Sequence, residues 1–232
     1  GGVMYFIWDA EYSGDTEIHT IAGNEELPVS RRPLNEFDVF IRYNQAVPIL
    51  EKVLDRNEEK LDKSVSSSKP FGFRTFFKNF DQINNPEKVK IYASKKTGFV
   101  RNEMIQTNRA WIDLWKVFTA EANNIGTSAP DDNLNAIVGE PNSCCTETYL
   151  VVGAGYLKNK EQAANMRRYL QTRFVRFLIS LRKVTHHGTS KVYSFVPNLP
   201  MDQPWDDKKL YERYDITPAE QKFIESVIKK MN

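Results

Sequence analysis

The sequence has very little cysteine, since Cys144 and Cys145 are the only two among 232 residues. Adjacent cysteines are poorly placed to form a disulfide with each other, which agrees with a reducing compartment. No apolar run approaches the roughly 18 residues of a membrane span, and residues 1–8 lack the basic start of a signal peptide. These absences predict a cytoplasmic protein that does not contact membranes.

Common catalytic motifs are missing as well. The sequence contains no glycine-rich phosphate loop after a strand and no GxSxG, HExxH or CxxC motif, so nucleotide hydrolase, esterase and zinc functions have no support. Cys144, Cys145, His186 and His187 lack the usual spacing of metal ligands, and we predict no metal site. Residues 58–60 contain an ExK triplet of the kind that nucleases use, but the triplet follows a helix instead of lying on a strand.

The chain does contain enough apolar material for a core, because 41% of its residues are hydrophobic and 12% are aromatic. That suits one large domain, or a smaller one with an appendage. Short β-branched and aromatic runs are interspersed with stretches of helical periodicity. The expected fold class is α+β, with a mixed β-sheet, a long basic amphipathic helix and a C-terminal helix.

Residues 141–200 are the most informative stretch. An apolar run over residues 148–152 predicts a buried strand, and a similar run over residues 192–196 predicts a returning strand. Between them, apolar residues at steps of three and four predict one long helix over residues 160–184. From Lys158 to Lys191 there are nine Lys or Arg and one acid, Glu161, so this stretch has a net charge of +8 whereas the whole chain has +2. Such a surface suits the phosphates of nucleic acid, although a basic helix face is often only solvated.

Other elements are indicated more briefly by the sequence. Residues 3–8 and 16–21 predict a hairpin, followed by a polar linker over residues 23–32. A short or kinked helix should begin near Asn44, and Thr217 to Glu220 is a capping box for a terminal helix. Strands are expected at residues 89–92 and 98–100, and a long loop at residues 119–140.

Aromatic and basic residues alternate over residues 69–78, a pattern that suits base stacking combined with phosphate or base-edge contacts. The alternative is a β-strand with Phe71, Phe73 and Phe77 in the core and the charged side chains pointing outward. Further donors are expected at a hairpin tip, at the edge of an apolar segment, on the basic helix and at a turn around Gly188. The predicted DNA-binding residues are Lys69, Phe71, Arg74, Lys95, Lys96, Lys116, Arg168, Arg176, His186, His187, Ser190 and Lys191.

Six segments, taken in order, resemble the C-terminal part of gamma-class, TaqI-like adenine-N6 DNA methyltransferases of type II and IIG restriction-modification systems. The segments are GGVMYFIWD, EFDVFIRYNQAVPILEKV, SSSKPFGFRT, PNSCCTETYLVVG, QTRFVRFLISLRKVT and TSKVYSFVPNLP. In that family an N-terminal catalytic domain binds S-adenosylmethionine and receives a flipped adenine at an Asn-Pro-Pro-Tyr motif. A C-terminal target recognition domain reads the DNA sequence.

The chain has neither Asn-Pro-Pro-Tyr nor the Phe-x-Gly-x-Gly cofactor loop of that family. The resemblance therefore implies that residues 1–30 are the terminal hairpin of a truncated catalytic domain plus a linker, and that residues 31–232 are the target recognition domain. It implies double-stranded DNA and the catalytic domain of the same bacterial polypeptide as partners. No catalytic residue and no cofactor is expected in this chain. Two alternatives stay open: a module that docks an acidic protein on the basic helix, and a stand-alone metal-dependent nuclease.

Overall fold

Five α-helices and ten short β-strands occur in residues 3–125 and 134–229, the residues that the computed structural model describes. The helices are α1 (Ala46–Asp55), α2 (Lys160–Gln171), α3 (Arg173–Arg182), α4 (Asp207–Arg213) and α5 (Pro218–Val227). The strands are β1 (Thr16–Ile18), β2 (Ile21–Ala22), β3 (Glu25–Glu26), β4 (Ser30–Arg32), β5 (Val89–Ala93), β6 (Lys96–Val100), β7 (Lys116–Ala120), β8 (Ile137–Gly139), β9 (Ser143–Cys145) and β10 (Tyr149–Val152). The fold class is α+β, as the sequence predicts.

Two three-stranded sheets lie at the centre of the chain. One has the order β10-β7-β8 and is antiparallel, and the other has the order β6-β5-β9. In the second sheet β5 pairs antiparallel with β6 and parallel with β9, so this sheet is mixed. The predicted strand pair at residues 89–92 and 98–100 is confirmed as β5 and β6. Lys95 adopts a left-handed conformation at the two-residue tip, with a φ of 59°.

The N-terminal hairpin prediction is wrong. Strand β1 pairs with β4, and β2 pairs with β3 through a turn at Gly23, whereas residues 3–8 form no strand. Arg31 of β4 donates to Glu17 of β1 at 2.8 Å, a cross-strand contact that fixes this register. The stretch expected as a linker, residues 23–32, therefore contributes two strands. The six apolar side chains of residues 3–8 are between 75% and 97% exposed.

The predicted long basic helix is two helices. Thr172 is extended, with a ψ of 149°, and it ends α2 and caps α3. Its hydroxyl accepts from Val175 N at 3.2 Å and donates to the Tyr169 carbonyl at 2.8 Å. An N-cap hydroxyl of this kind satisfies a backbone donor that the first turn leaves free, so Thr172 stabilises the break.

Two further predictions differ from the structure. Residues 192–196 form no strand, because Val192 N and Ser194 N bond locally to Thr189 and Lys191 carbonyls, and a 3₁₀ helix covers Ser190–Tyr193. The long loop expected at residues 119–140 contains β8, which pairs with β7. Residues 126–133 of that loop lie outside the described residues.

Apolar side chains form two core clusters, and the smaller one supports the surface considered below. The larger cluster surrounds α2 and α3 and includes the apolar face of α1. The smaller cluster contains Phe71, Phe73, Ile91, Cys144 and Val151, and it lies under the mixed sheet. The short helix expected after Asn44 and the capped terminal helix are confirmed as α1 and α5. Over the described residues, no helix combines the length and the apolar character that crossing a bilayer requires.

Candidate nucleic-acid interface

Two loops, residues 69–80 and 101–109, are joined by hydrogen bonds into one surface, which we call the basic-aromatic surface. The Pro70 carbonyl accepts from Thr107 Oγ1 at 2.9 Å and from Asn108 Nδ2 at 2.7 Å. Gln106 N donates to the Phe71 carbonyl at 3.4 Å. These contacts hold side chains of both loops at fixed positions beside each other.

The aromatic residues of the first loop divide between core and solvent. Phe71 and Phe73 are buried in the smaller core cluster, and Phe77 packs on Phe73 with 4.5 Å between ring centroids. Phe76 instead is 76% exposed. A cavity of about 410 Å³ opens beside it, lined by Phe73, Arg74, Phe76, Phe77, Met104 and Gln106. The alternative that the phenylalanines belong to the core is therefore correct for Phe71 and Phe73, although they lie in a loop and not in a strand.

The first loop is joined to the end of the mixed sheet through the turn that follows β9. Thr146 N donates to the Tyr92 carbonyl at 3.0 Å, and Glu147 N donates to the Phe73 carbonyl at 2.9 Å. The Glu147 carboxylate accepts from Thr75 N at 3.0 Å and from Arg74 Nη1 at 3.4 Å. Arg74 thus lies at the end of β5, the same end from which the exposed hairpin tip with Lys95 and Lys96 projects.

His186 and His187 reach the same turn from the other sheet. Glu121 follows β7, and its N–H donates to the Thr148 carbonyl at 2.9 Å. The Glu121 carboxylate lies 3.0 Å from His187 Nδ1, and Asn123 N donates to the His186 carbonyl at 3.0 Å. The predicted residues Arg74, Lys95, Lys96, His186 and His187 therefore gather around the turn at residues 145–149.

Positive charge exceeds negative charge on the two loops. They carry five Lys or Arg against one acid, Glu103. Arg74, Lys78, Arg101 and Arg109 are exposed, and Lys69 at the start of the first loop is half-buried. A cation-rich surface with an exposed aromatic ring has the chemistry of nucleic-acid contacts, in which cations neutralise phosphates and rings stack on bases.

Three of the predicted DNA contacts are wrong, because the structure buries their side chains. Phe71 is a core residue of the smaller cluster. Lys116 donates to the carbonyls of Ile112 at 3.0 Å and Leu114 at 2.8 Å, and burial lowers its pKa to about 8. Arg176 is 1% exposed, and its guanidinium donates to backbone carbonyls, one of them that of Lys229 at 2.9 Å. None of the three can reach DNA in this fold.

The other predicted residues lie apart from the surface. Arg168 is exposed in the last turn of α2, next to the equally exposed Arg167. Ser190 and Lys191 begin the 3₁₀ helix, and Lys191 is near enough to Asp38 to help lower the pKa of that carboxyl, whose main cause is the hydrogen bond from Arg182. Within the described residues, no hydrogen bond or ion pair connects Arg168, Ser190 or Lys191 to the basic-aromatic surface.

Sequence reasoning missed several residues of this surface. Arg101, Gln106 and Arg109 come from a loop without an aromatic or charge pattern, and only the contacts to Pro70 bring that loop beside Arg74. Glu121 and Glu147 have the charge opposite to that expected of a phosphate contact, yet the Glu147 carboxylate accepts from Arg74 and the Glu121 carboxylate lies 3.0 Å from His187 Nδ1. The one sequence signal for Glu121 and Glu147 is that each is a single acid next to the end of an apolar run.

The ExK triplet and the cysteine pair, the two motifs considered for metal binding, have other surroundings in the structure. Glu58 of the ExK triplet accepts from Arg213 Nε at 3.1 Å, so its carboxylate is part of a partly buried ion pair. The described residues contain no group of three or more His, Cys, Asp or Glu side chains that could hold a metal ion. Cys144 is buried, and burial raises the pKa of its thiol to about 12, so it is an unreactive core residue.

Two glycines with positive φ, Gly153 and Gly155, follow β10. At Gly153, which has a φ of +76°, a Cβ would lie 2.9 Å from the Leu157 side chain. The Leu157 side chain therefore fills the space beside this turn.

Comparisons of the chain with known protein families, with curated proteins and with solved structures find no match.

Proposed function

We propose that this chain binds double-stranded DNA and reads its sequence as the target recognition part of an adenine-N6 DNA methyltransferase of a restriction-modification system. The observation that carries the proposal is the basic-aromatic surface, in which Phe76 and Arg74 line one cavity. Lys78 and Arg101 are exposed on the same two hydrogen-bonded loops. A rigid support matters, because base readout requires donors at fixed positions.

The cations of this surface and of the neighbouring β5–β6 hairpin tip have different roles in the proposal. Arg74, beside the sheet end, has a planar guanidinium suited to the O6 and N7 atoms of guanine in the major groove. Lys78, Lys95, Lys96 and Arg101 are exposed and neutralise backbone phosphates, which supplies affinity without sequence preference. His186 and His187 add donors on the far side of the turn at residues 145–149.

The catalytic half belongs to the parent polypeptide in this proposal. S-adenosylmethionine binds there, and this chain contributes no catalytic group. Residues 3–8 support a contact with such a domain, because their six apolar side chains are all exposed. Single exposed apolar residues are common on protein surfaces, whereas a run of six is not. Such a patch marks a surface that another protein part covers.

Binding measurements at several salt concentrations test the proposal. We expect the chain to bind a duplex of random sequence with an affinity that falls linearly in a double-logarithmic plot against salt, with a slope near −0.9 per phosphate contact. Sequences selected from a randomised duplex pool should share a short motif. If the chain bound polyglutamate as tightly as DNA and enriched no motif, a module for acidic proteins would explain the basic surface instead.

A further inference from the structure

We propose that the cavity beside Phe76 receives one unstacked nucleobase, so that the chain prefers DNA with a base already out of the stack. This inference rests on the proposed DNA-binding function and adds a ligand class for a specific cavity. The cavity lies between the loops at residues 69–80 and 101–109 and has a volume of about 410 Å³.

The walls of the cavity suit a flat aromatic ring. Phe77 is half-buried against Phe73, with the two rings inclined by 37°. The half-buried Met104 adds a polarisable thioether, and Phe76 stands largely in solvent at the cavity. Each nucleobase has a π-face, so aromatic side chains stack on any of them, and thioethers also contact rings favourably.

Polar groups at the cavity make a base a better occupant than an apolar side chain. The side chain of Gln106 makes no hydrogen bond to any other described residue, and Arg74 is held only by an exposed ion pair with Glu147. A base edge can pair with either group, since a glutamine amide pairs with adenine N6 and N7 and a guanidinium with guanine O6 and N7. An apolar peptide side chain would take water from these groups without replacing its hydrogen bonds.

Gly72 explains how Gln106 comes so close to the first loop. A Cβ at Gly72 would lie 3.0 Å from Gln106 Cβ and 3.2 Å from Gln106 Oε1, and Gly72 has a φ of +89°. The absence of a side chain therefore lets the Gln106 amide lie against the backbone at the cavity. The charge of the two loops also suits a nucleotide, because exposed Lys78 and Arg101 can neutralise the phosphates next to the bound base.

The experiment compares the full chain on two duplexes of equal sequence, one fully paired and one with a single bulged base. Unstacking a base costs free energy, and in the bulged duplex the extra base is already unpaired, so most of that cost is absent. Stacking on an aromatic side chain contributes about 1 to 3 kcal/mol, so we expect the bulged duplex to bind about 5-fold to 140-fold more tightly. Phe76→Ala and Gln106→Ala should each weaken binding to the bulged duplex more than binding to the paired duplex, and so reduce this preference.

Ile21→Ala is the matched control, because Ile21 is an exposed apolar residue of the N-terminal hairpin β2-β3. It should leave the preference for the bulge intact. Equal affinity of the wild type for both duplexes, or a preference that survives in both cavity variants, would overturn the cavity proposal while leaving DNA binding in place. Absence of binding to either duplex would refute the proposed function itself, and the cavity proposal with it.

Discussion

Arg74 and Glu147 form an ion pair at the end of the mixed sheet, with 3.4 Å between Arg74 Nη1 and Glu147 Oε2. The Arg74 side chain is 57% exposed and the Glu147 side chain 18% exposed. Exposed pairs of this kind contribute about 0 to 1 kcal/mol, so Glu147 can orient Arg74 without holding it strongly. Replacing the Glu147 contact of Arg74 by a contact to a guanine edge therefore costs little free energy.

The first prediction concerns sequence preference. Arg74→Ala should relax recognition at one base pair and lower discrimination there by about 1 to 3 kcal/mol, because a bidentate contact is lost. The measurement is the sequence profile of sites bound from a randomised pool, or the methylation profile of the complete enzyme. Lys78→Ala is the control, and it should weaken binding to all sequences alike. An Arg74→Ala chain that keeps its profile and is weaker everywhere would show a phosphate contact instead.

The second prediction separates two arginines that the sequence treats as equivalent. Arg176 donates to the carbonyls of Gln171 at 3.2 Å and Lys229 at 2.9 Å, so Arg176→Met removes the donor from two partly buried hydrogen bonds. We expect it to lower the free energy of unfolding by about 1 to 3 kcal/mol. Urea unfolding followed by circular dichroism measures this.

Arg168 is exposed and serves as the matched comparison, since Arg168→Met should change stability by less than about 0.5 kcal/mol. Arg168→Glu should reduce the salt slope of DNA binding by about one unit if α2 contacts phosphate. An unchanged slope would show that α2 is only a solvated basic helix. Equal stability of the two methionine variants would contradict the structural role of Arg176.

The break at Thr172 shows why sequence pattern located the helical region but not its geometry. Leu170 and Phe174 continue the apolar stripe with a step of four, so periodicity runs through residues 170–174 without interruption. Both side chains are buried, which the stripe predicts correctly. After the break, α3 runs into the core. There Arg176 donates to backbone carbonyls and Arg182 donates to the Asp38 carboxylate. No periodicity encodes those partners, because they come from distant parts of the chain.

The same limit explains the candidate surface. The sequence pattern indicated Arg74 and the aromatic stretch as candidates. Which phenylalanine faces solvent depends on the hydrogen bonds that the Pro70 carbonyl accepts from Thr107 and Asn108. The apolar run at residues 192–196 is buried as expected, yet local hydrogen bonds make it partly helical. Burial follows from residue type, whereas strand pairing needs a neighbouring edge that sequence alone does not supply.

The third prediction concerns residues 3–8. Their side chains are 75% to 97% exposed and belong to no strand, so removing residues 1–8 should change the free energy of unfolding by less than about 0.5 kcal/mol. Removal should also reduce self-association, because a large exposed apolar patch promotes it. Urea unfolding and light scattering over a range of protein concentrations measure the two effects. A destabilisation of several kcal/mol would show that these residues pack on the domain.

The last prediction concerns pH and the junction between α1 and α5. Glu220 accepts from Lys52 Nζ at 2.6 Å and from Thr217 N at 2.7 Å, completing the capping box of α5. Burial raises the pKa of Glu220, but the hydrogen bonds from Lys52 and Thr217 outweigh it, so the pKa lies below the usual value of 4.5. The stabilisation is therefore fully present above pH 4.5 and is lost as the pH falls through the lowered pKa.

Glu220→Gln should consequently lower the free energy of unfolding at pH 7 by up to about 1 kcal/mol, the size of an ion pair, because a glutamine keeps the capping box. The difference from the wild type should shrink as the pH falls from 5 towards 3, since the wild-type carboxyl then becomes protonated and loses its advantage. Urea unfolding at a series of pH values measures it. Glu51→Gln is the control, because Glu51 is an exposed acid on α1, and its effect should stay small at every pH. A Glu220→Gln difference that stayed constant down to pH 3 would mean that the lost interaction does not depend on the charge of Glu220.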